Sequence, residues 1–112
     1  MQCESKMEIL TINEEILLIV VWQLKENAYG FPIMKKVMEI TKKKISYGSL
    51  YNSLNNLARK GYLAFCKGEP TEVRGGKRKV YYTVTPQGKV ALKNAKQFHL
   101  NLWLNIPDLE LD

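Results

Sequence analysis

The sequence predicts a mainly α-helical fold with one small β-hairpin, in the order helix, helix, helix, strand, loop, strand, helix. Three observations carry that prediction. Helix-capping signals at Thr11, Ser46 and Thr85-Pro86 each precede apolar residues at helical spacing. A Gly- and Pro-bearing stretch, Lys67 to Lys79, separates two short β-prone runs. The composition is that of an ordinary globular domain: 112 residues, 46% hydrophobic and 25% charged, which suits one domain with a short appendage and is too apolar for a disordered chain.

The first helix starts at Thr11-Ile12-Asn13-Glu14, a capping-box pattern in which Asn13 competes as a cap, and runs to about Lys25. Its apolar residues, Ile16 to Trp22 and Leu24, predict burial around most of its circumference. Asn27 to Gly30 read as a turn, and Pro32 suits the first position of the second helix, where its missing N–H costs nothing. Ile33, Val37 and Ile40 form that helix's stripe, flanked by Met34 and Met38; Thr41 to Ile45 read as a connection.

Ser46 caps the third helix, Leu50, Leu54, Leu57 and Ala58 give it an apolar face, and Gly61 is its left-handed stop. Its other face presents Ser49, Asn52, Ser53, Asn55, Asn56 and Arg59. Surface helices usually carry Glu and Lys there, because Asn and Ser are mediocre helix formers. Asn and Ser are, however, side chains that donate and accept at base edges and phosphates. Tyr62 to Cys66 and Val80 to Val84 read as two strands of a hairpin with a long basic loop. Thr85-Pro86 opens a fourth helix that reaches about Asn105, before Pro107, and whose second half is apolar on more than one side.

Charge is segregated. Residues 35–60 hold seven basic side chains against one acid, a balance of +6, and residues 74–96 hold seven and no acid, +7. The rest of the chain, with three basic and ten acidic residues, stands at −7. Such segregation suits a face that binds a polyanion. Other classes fare worse. The longest apolar run, Ile16 to Trp22, is far below the ~20 residues that span a bilayer. No signal-peptide pattern precedes Thr11, and Cys3 and Cys66 form neither a zinc spacing nor a disulfide framework, so the expected compartment is the cytoplasm. With His99 the single histidine, no nucleophile–base pair and no phosphate-cradling glycine loop, the expectation is neither an enzyme nor a metal or cofactor protein.

Helix, helix, helix, strand, basic loop, strand is the order of a winged helix, the helix-turn-helix variant whose third helix enters the major groove while its hairpin touches the backbone. The winged domain is expected over residues 9–84 and a dimerisation helix over 85–106, because so small a core cannot cover every apolar side of that helix. Lys44, Tyr51, Arg59, Lys77, Arg78 and Lys79 are the expected phosphate contacts, and Tyr47, Ser49 and Asn52 the expected base readers. Phe98, Leu102, Trp103 and Ile106 are the expected dimer contacts. A winged helix that docks an acidic protein partner is the competing reading, set against by the Ser/Asn-rich face.

The residues also resemble a known family, the short branch of the PadR-like (phenolic-acid-decarboxylase regulator) transcription factors. The resemblance rests on Tyr29-Gly30-Phe31, Ser46-Tyr47-Gly48-Ser49-Leu50-Tyr51, Leu54, Leu57, Gly61-Tyr62-Leu63, Gly75 to Thr85, and Gly88. The chain departs from the family pattern at Pro32, Tyr47 and Arg78. The resemblance implies a homodimeric DNA-binding regulator, usually a repressor, dimerised by its last helix and meeting a pseudo-palindromic operator through Tyr51 and the Ser49/Asn52 face. It also permits a flat aromatic effector beside Trp103, although Trp103 and Trp22 read first as packing residues. His99 reads as a helix-surface residue rather than a sensor, and Cys66, beside Lys67, as a buried thiol rather than a redox switch.

Overall fold

The structure, a computed structural model, describes residues 9–70 and 78–107. Helix α1 spans Ile12–Leu24 and is followed by one 3₁₀ turn, Lys25–Asn27; α2 spans Gly30–Thr41 and α3 Tyr47–Arg59. Strands β1, Leu63–Pro70, and β2, Arg78–Val84, pair antiparallel, and α4 spans Pro86–Trp103. This is the expected winged-helix order.

The capping signals act where they were read. Thr11 closes a capping box on α1: its hydroxyl accepts from the Glu14 N–H at 3.1 Å, and Glu14 Oε1 accepts from the Thr11 N–H at 2.9 Å. Asn13 is exposed inside the helix. Ser46 Oγ accepts from the Ser49 N–H at 3.1 Å to start α3, and Gly61 follows that helix at φ +87°, the left-handed stop. The start of α2 differs from expectation. Tyr29, in extended backbone, is its cap; the Tyr29 carbonyl accepts from the Ile33 N–H at 3.1 Å, so Gly30 is the first helical residue and Pro32 the third. Proline fits there for the reason it fits the first position, since the third N–H also lacks an intrahelical acceptor. At the other end Lys42 adopts φ +61° with no glycine, while Thr41 Oγ1 donates to the Val37 carbonyl and accepts from the Lys43 N–H.

The core gathers one face from each element: Leu17, Leu18, Val20 and Val21 of α1, Ile33, Met34 and Val37 of α2, Leu50, Leu54 and Leu57 of α3, with Leu63, Tyr82 and Val84 from the hairpin. Ile40 shares the angular position of Ile33 and Val37 but stays exposed, because the last turn of α2 runs past the core. α1 is buried on fewer sides than its composition predicts, with Trp22 about half exposed.

The hairpin is longer than expected on both strands. β1 begins at Leu63 and continues through Gly68 to Pro70, and β2 begins at Arg78, with a register shift between Lys67 and Pro70. Gly68 is therefore a strand residue: a Cβ there would lie 2.8 Å from Cε1 of Tyr81, so the bare backbone makes room for that ring. β2 is also tied to the helices, the Tyr82 N–H donating to the Ala28 carbonyl at 2.8 Å.

α4 grows rigidly out of the hairpin base. Thr85 Oγ1 donates to the Gly61 carbonyl at 2.6 Å and accepts from the Gly88 N–H at 2.9 Å, while the Thr85 N–H donates to the Tyr62 carbonyl. Gly88 is buried so closely against the Tyr62 carbonyl and Val84 that no side chain fits. Ala91, Leu92 and Ala95 then pack on the core. From Lys96 onward every described residue of the helix and its end is exposed. The helix stops at Trp103, two residues short of expectation.

Candidate nucleic-acid interface

The polar face of α3 stands clear of the core. Tyr47, Gly48, Ser49, Tyr51, Asn52, Asn55 and Arg59 are exposed, whereas Ser53 and Asn56 are partly buried. The first turn of α3 carries no acid, nor does that of α2, so the positive ends of both helix dipoles are left uncompensated. Lys42, Lys43 and Lys44 are exposed immediately before α3.

Among the described residues, the acid that an ion pair ties to this region is Glu14. Glu14 Oε2 holds Lys60 Nζ at 2.5 Å, joining the start of α1 to the end of α3. Partial burial raises the Glu14 carboxyl, but the Lys60 and Thr11 hydrogen bonds outweigh it and hold the pKa below its ordinary value. Because both groups keep water contact, the pair is a register pin worth well under about 1 kcal/mol.

Tyr51 is seated rather than free. Its ring stacks beside Tyr47 with centroids 6.0 Å apart. Its hydroxyl lies where a Cβ on Gly30 would be, with Cζ 3.1 Å from that point. Glycine at the start of α2 thus lets the Tyr51 phenol lie flat against the helix beneath it. Tyr82 is nearby: burial, and then the neighbouring Tyr51, raise its phenol pKa. On the hairpin, Lys79 Nζ sits 4.4 Å over the Tyr29 ring, and Tyr29 meets Tyr81 edge to face at 5.3 Å. Tyr29, Tyr47, Tyr51, Lys79 and Tyr82, with Phe31 and Phe65, line a cleft of about 590 Å³ between α2, α3 and the hairpin.

The structure thus brings Tyr47, Ser49, Tyr51 and Asn52 to one exposed face, with Lys44 before it, Arg59 at its far end and Lys79 on the hairpin beside it. Arg78 is on β2; Lys77 lies outside the described residues. Sequence reasoning missed the aromatic cleft, whose walls come from segments more than fifty residues apart, Tyr29 to Tyr82. The composition of Tyr29-Gly30-Phe31 was its one local signal.

Among the remaining sequence-chosen residues, Phe98, Leu102, Trp103 and Ile106 are all exposed on the distal part of α4 and its end. Trp103 and Trp22 line one groove of about 870 Å³ between α1 and α4, with Ile19, Leu92 and Leu100, whereas Phe98 faces a separate hollow beside Ile9 and Leu10. His99 Nε2 and Glu15 Oε1 are 2.9 Å apart and bridge the two helices. Lys25 and Lys89 lie over the Trp22 ring at 4.5 and 4.9 Å. Cys66 is exposed, not buried, because it lies on the outer face of β1 opposite Tyr81. No helix among the described residues is long and apolar enough to cross a membrane, and none of their His, Cys, Asp and Glu side chains cluster as metal ligands.

Comparison with known proteins agrees with this architecture. RosR of H. salinarum superposes with a TM-score of 0.67 at 24% identity, over 92% of this chain and 86% of that one. A PadR-like regulator from Bacillus cereus gives 0.63 at 20% identity, over 86% and 94%. Both likenesses speak for the fold. A PadR-like transcription factor from Bacteroides fragilis gives 0.64 at 25% identity, over 84% and 87%. Among curated proteins none matches the sequence. Residues 17–94 match the transcriptional regulator PadR-like family. That stretch is more than half of the chain and takes in the buried side of α1, all of α3 and the whole hairpin, so the chain belongs to the PadR-like family of transcriptional regulators.

Proposed function

We propose that this regulator binds a pseudo-palindromic operator as a homodimer and acts as a repressor in the cytoplasm. Residues 9–84 are the DNA-binding unit and residues 85–106 the dimerisation helix. The observation that carries the reading is the exposed Tyr/Ser/Asn face of α3, with no acid in its first turn, Lys42, Lys43 and Lys44 exposed just before it and Lys79 in the cleft beside it. Lys44, Tyr51, Arg59, Lys77, Arg78 and Lys79 contact phosphates, fixing register and supplying a salt-dependent affinity. Tyr47, Ser49 and Asn52, on the N-terminal turns of α3, read base edges in the major groove.

The dimer reading rests on α4. Phe98, Leu102, Trp103 and Ile106 leave apolar surface in water over a helix that projects beyond its own core. The radius of gyration, 16.7 Å, exceeds the ~13 Å of a compact 100-residue domain, in keeping with an element that packs on something else. A second copy supplies it by two-fold symmetry, which sets two α3 helices about one DNA turn apart. The groove lined by Trp22 and Trp103 is the place for a flat aromatic effector that releases the repressor.

Selection from random double-stranded DNA at physiological salt tests the whole reading. A two-fold symmetric enriched motif is the expected result. Weak, salt-sensitive binding with no enrichment would overturn it and point to an acidic protein partner for the basic face.

A further inference from the structure

The groove between α1 and α4 is apolar on its floor and basic along one helix. Ile19 and Trp22 of α1 and Leu92 and Leu100 of α4 make the floor, and Lys93 and Lys96 stand on it. Both lysines are exposed, and among the described residues no carboxylate pairs with either. The acid that lines the groove, Glu15, is taken up by His99 at 2.9 Å. Lys89 continues the row, its Nζ 4.9 Å over the Trp22 ring. At positions 89, 93 and 96 the three lysines share one face of α4. They fall in the acid-free window 74–96, yet they lie on neither α3 nor the hairpin, the elements given to the operator.

A complement to this row stands in the sequence just after α4. Asp108-Leu109-Glu110-Leu111-Asp112 alternates acid and leucine. Successive side chains of an extended chain point to opposite sides, so such a segment has one acidic edge and one apolar edge. The groove offers a counterpart to each. It also lies within reach. α4 ends at Trp103, and Trp103 and Leu104 both line the groove. The chain leaves there through tight turns, in which the Leu104 and Ile106 N–H groups donate to the Asn101 and Trp103 carbonyls, and Pro107 bars a longer helix. From Leu104 back to Lys93 is about 16 Å along α4, and five extended residues span about the same length.

We infer that residues 108–112 fold back into the α1–α4 groove of their own chain. Leu109 and Leu111 lie on its apolar floor, and Asp108, Glu110 and Asp112 face the lysine row. The consequence rests on the dimer reading: Trp103 lines the groove and serves the dimer, so a seated tail and a second copy compete for it. The tail thereby sets the concentration at which the regulator pairs.

The test compares the whole chain with one that stops at Pro107. The readout is acrylamide quenching of Trp22 and Trp103, at a concentration where fluorescence-detected sedimentation finds single copies. Both indoles line the groove and are about half exposed, so loss of the tail should raise the quenching constant about twofold. Lys93→Glu with Lys96→Glu should lose the shielding as truncation does. Adding Asp108→Lys, Glu110→Lys and Asp112→Lys to that background should restore it, which a misfolded groove would not allow. Truncation should also tighten the dimer at least about tenfold, because the competent fraction of each copy rises. Equal quenching with and without the tail, or no rescue by the exchanged charges, would overturn the docking. Shielding that arises only as copies pair would put the tail on the other copy and overturn the fold-back. An unchanged dimer constant would overturn the competition. If neither chain pairs at any concentration, the dimer reading falls, while quenching and charge exchange still judge the tail.

Discussion

Helices α3 and α4 each pack one face on the core and leave opposite kinds of residue in water. α3 puts Leu50, Leu54 and Leu57 in the core and shows solvent Ser49, Asn52, Asn55 and two tyrosines. α4 buries Gly88, packs Ala91, Leu92 and Ala95, and then shows Phe98, Leu100, Leu102 and Trp103. The exposed face of α3 gains nothing by leaving water unless its hydrogen bonds are replaced, whereas that of α4 gains about 25 cal/mol for each Å² covered. One helix is built for a polar partner and the other for an apolar one.

Substitutions can break or sharpen this contrast, and the largest effect belongs to α4. Trp103→Asp should convert the protein to a monomer by light scattering and lower affinity for a two-half-site duplex by about 100-fold or more, as coupling between half-sites is lost. Its unfolding midpoint should no longer depend on protein concentration, while the monomer keeps its fold, since Trp103 lies outside the core cluster. A surviving dimer would remove α4 from the interface. Alanine at Lys77, Arg78 and Lys79 together should weaken binding to all duplexes alike and flatten the salt dependence by up to ~0.9 per lost phosphate contact. A changed sequence preference would mean that the hairpin reads bases.

Two glycines sharpen the comparison further. Gly88→Ala drives a methyl into the Tyr62 carbonyl and Val84, neither of which can yield, and should cost about 1–3 kcal/mol in denaturant unfolding. Asn52→Ala should leave the salt slope alone and relax preference at one base pair by about 1–3 kcal/mol, read by competition among operator variants. The nearest atoms that Gly30→Ala meets are the hydroxyl and Cζ of Tyr51, the far end of an exposed side chain, so the phenol should swing aside. Its stability should change least of all, while its DNA affinity falls toward that of Tyr51→Ala. Strong destabilisation by Gly30→Ala would show that Tyr51 is locked.

Much of this was legible in the sequence, and where it was not the reasons are specific. Caps are local chemistry, so Thr11, Ser46 and Thr85-Pro86 fixed three helix starts within a residue. Pro32 misplaced the fourth start because the orphan N–H groups at a helix start tolerate proline at more than one position, and only the extended Tyr29 decides between them. Gly68 and Pro70 read as loop punctuation because strand patterning weakens where a glycine yields its space to a ring on the neighbouring strand, here Tyr81. Cys66 was misread because alternation along β1 fixes which residues share a face, not which face is covered. The α3 face needed only 3.6-residue periodicity. The aromatic cleft needed the tertiary fold, because Phe31, Tyr51, Phe65 and Lys79 share no element.

The join at Thr85 has a mechanical consequence. Its hydroxyl and amide fasten the first turn of α4 to Gly61 and Tyr62, and the buried Gly88 leaves no play between helix and hairpin. α4 is therefore a lever with a fixed fulcrum, about 27 Å long. A tilt of about 10° at its far end, where Trp103 sits, corresponds to a displacement of about 5 Å. In a two-fold dimer the crossing angle of the two levers sets the distance between the two α3 helices. A molecule wedged beside Trp103 would act on DNA as a change of span, and an operator with altered spacing between its half-sites would be the ruler that measures it.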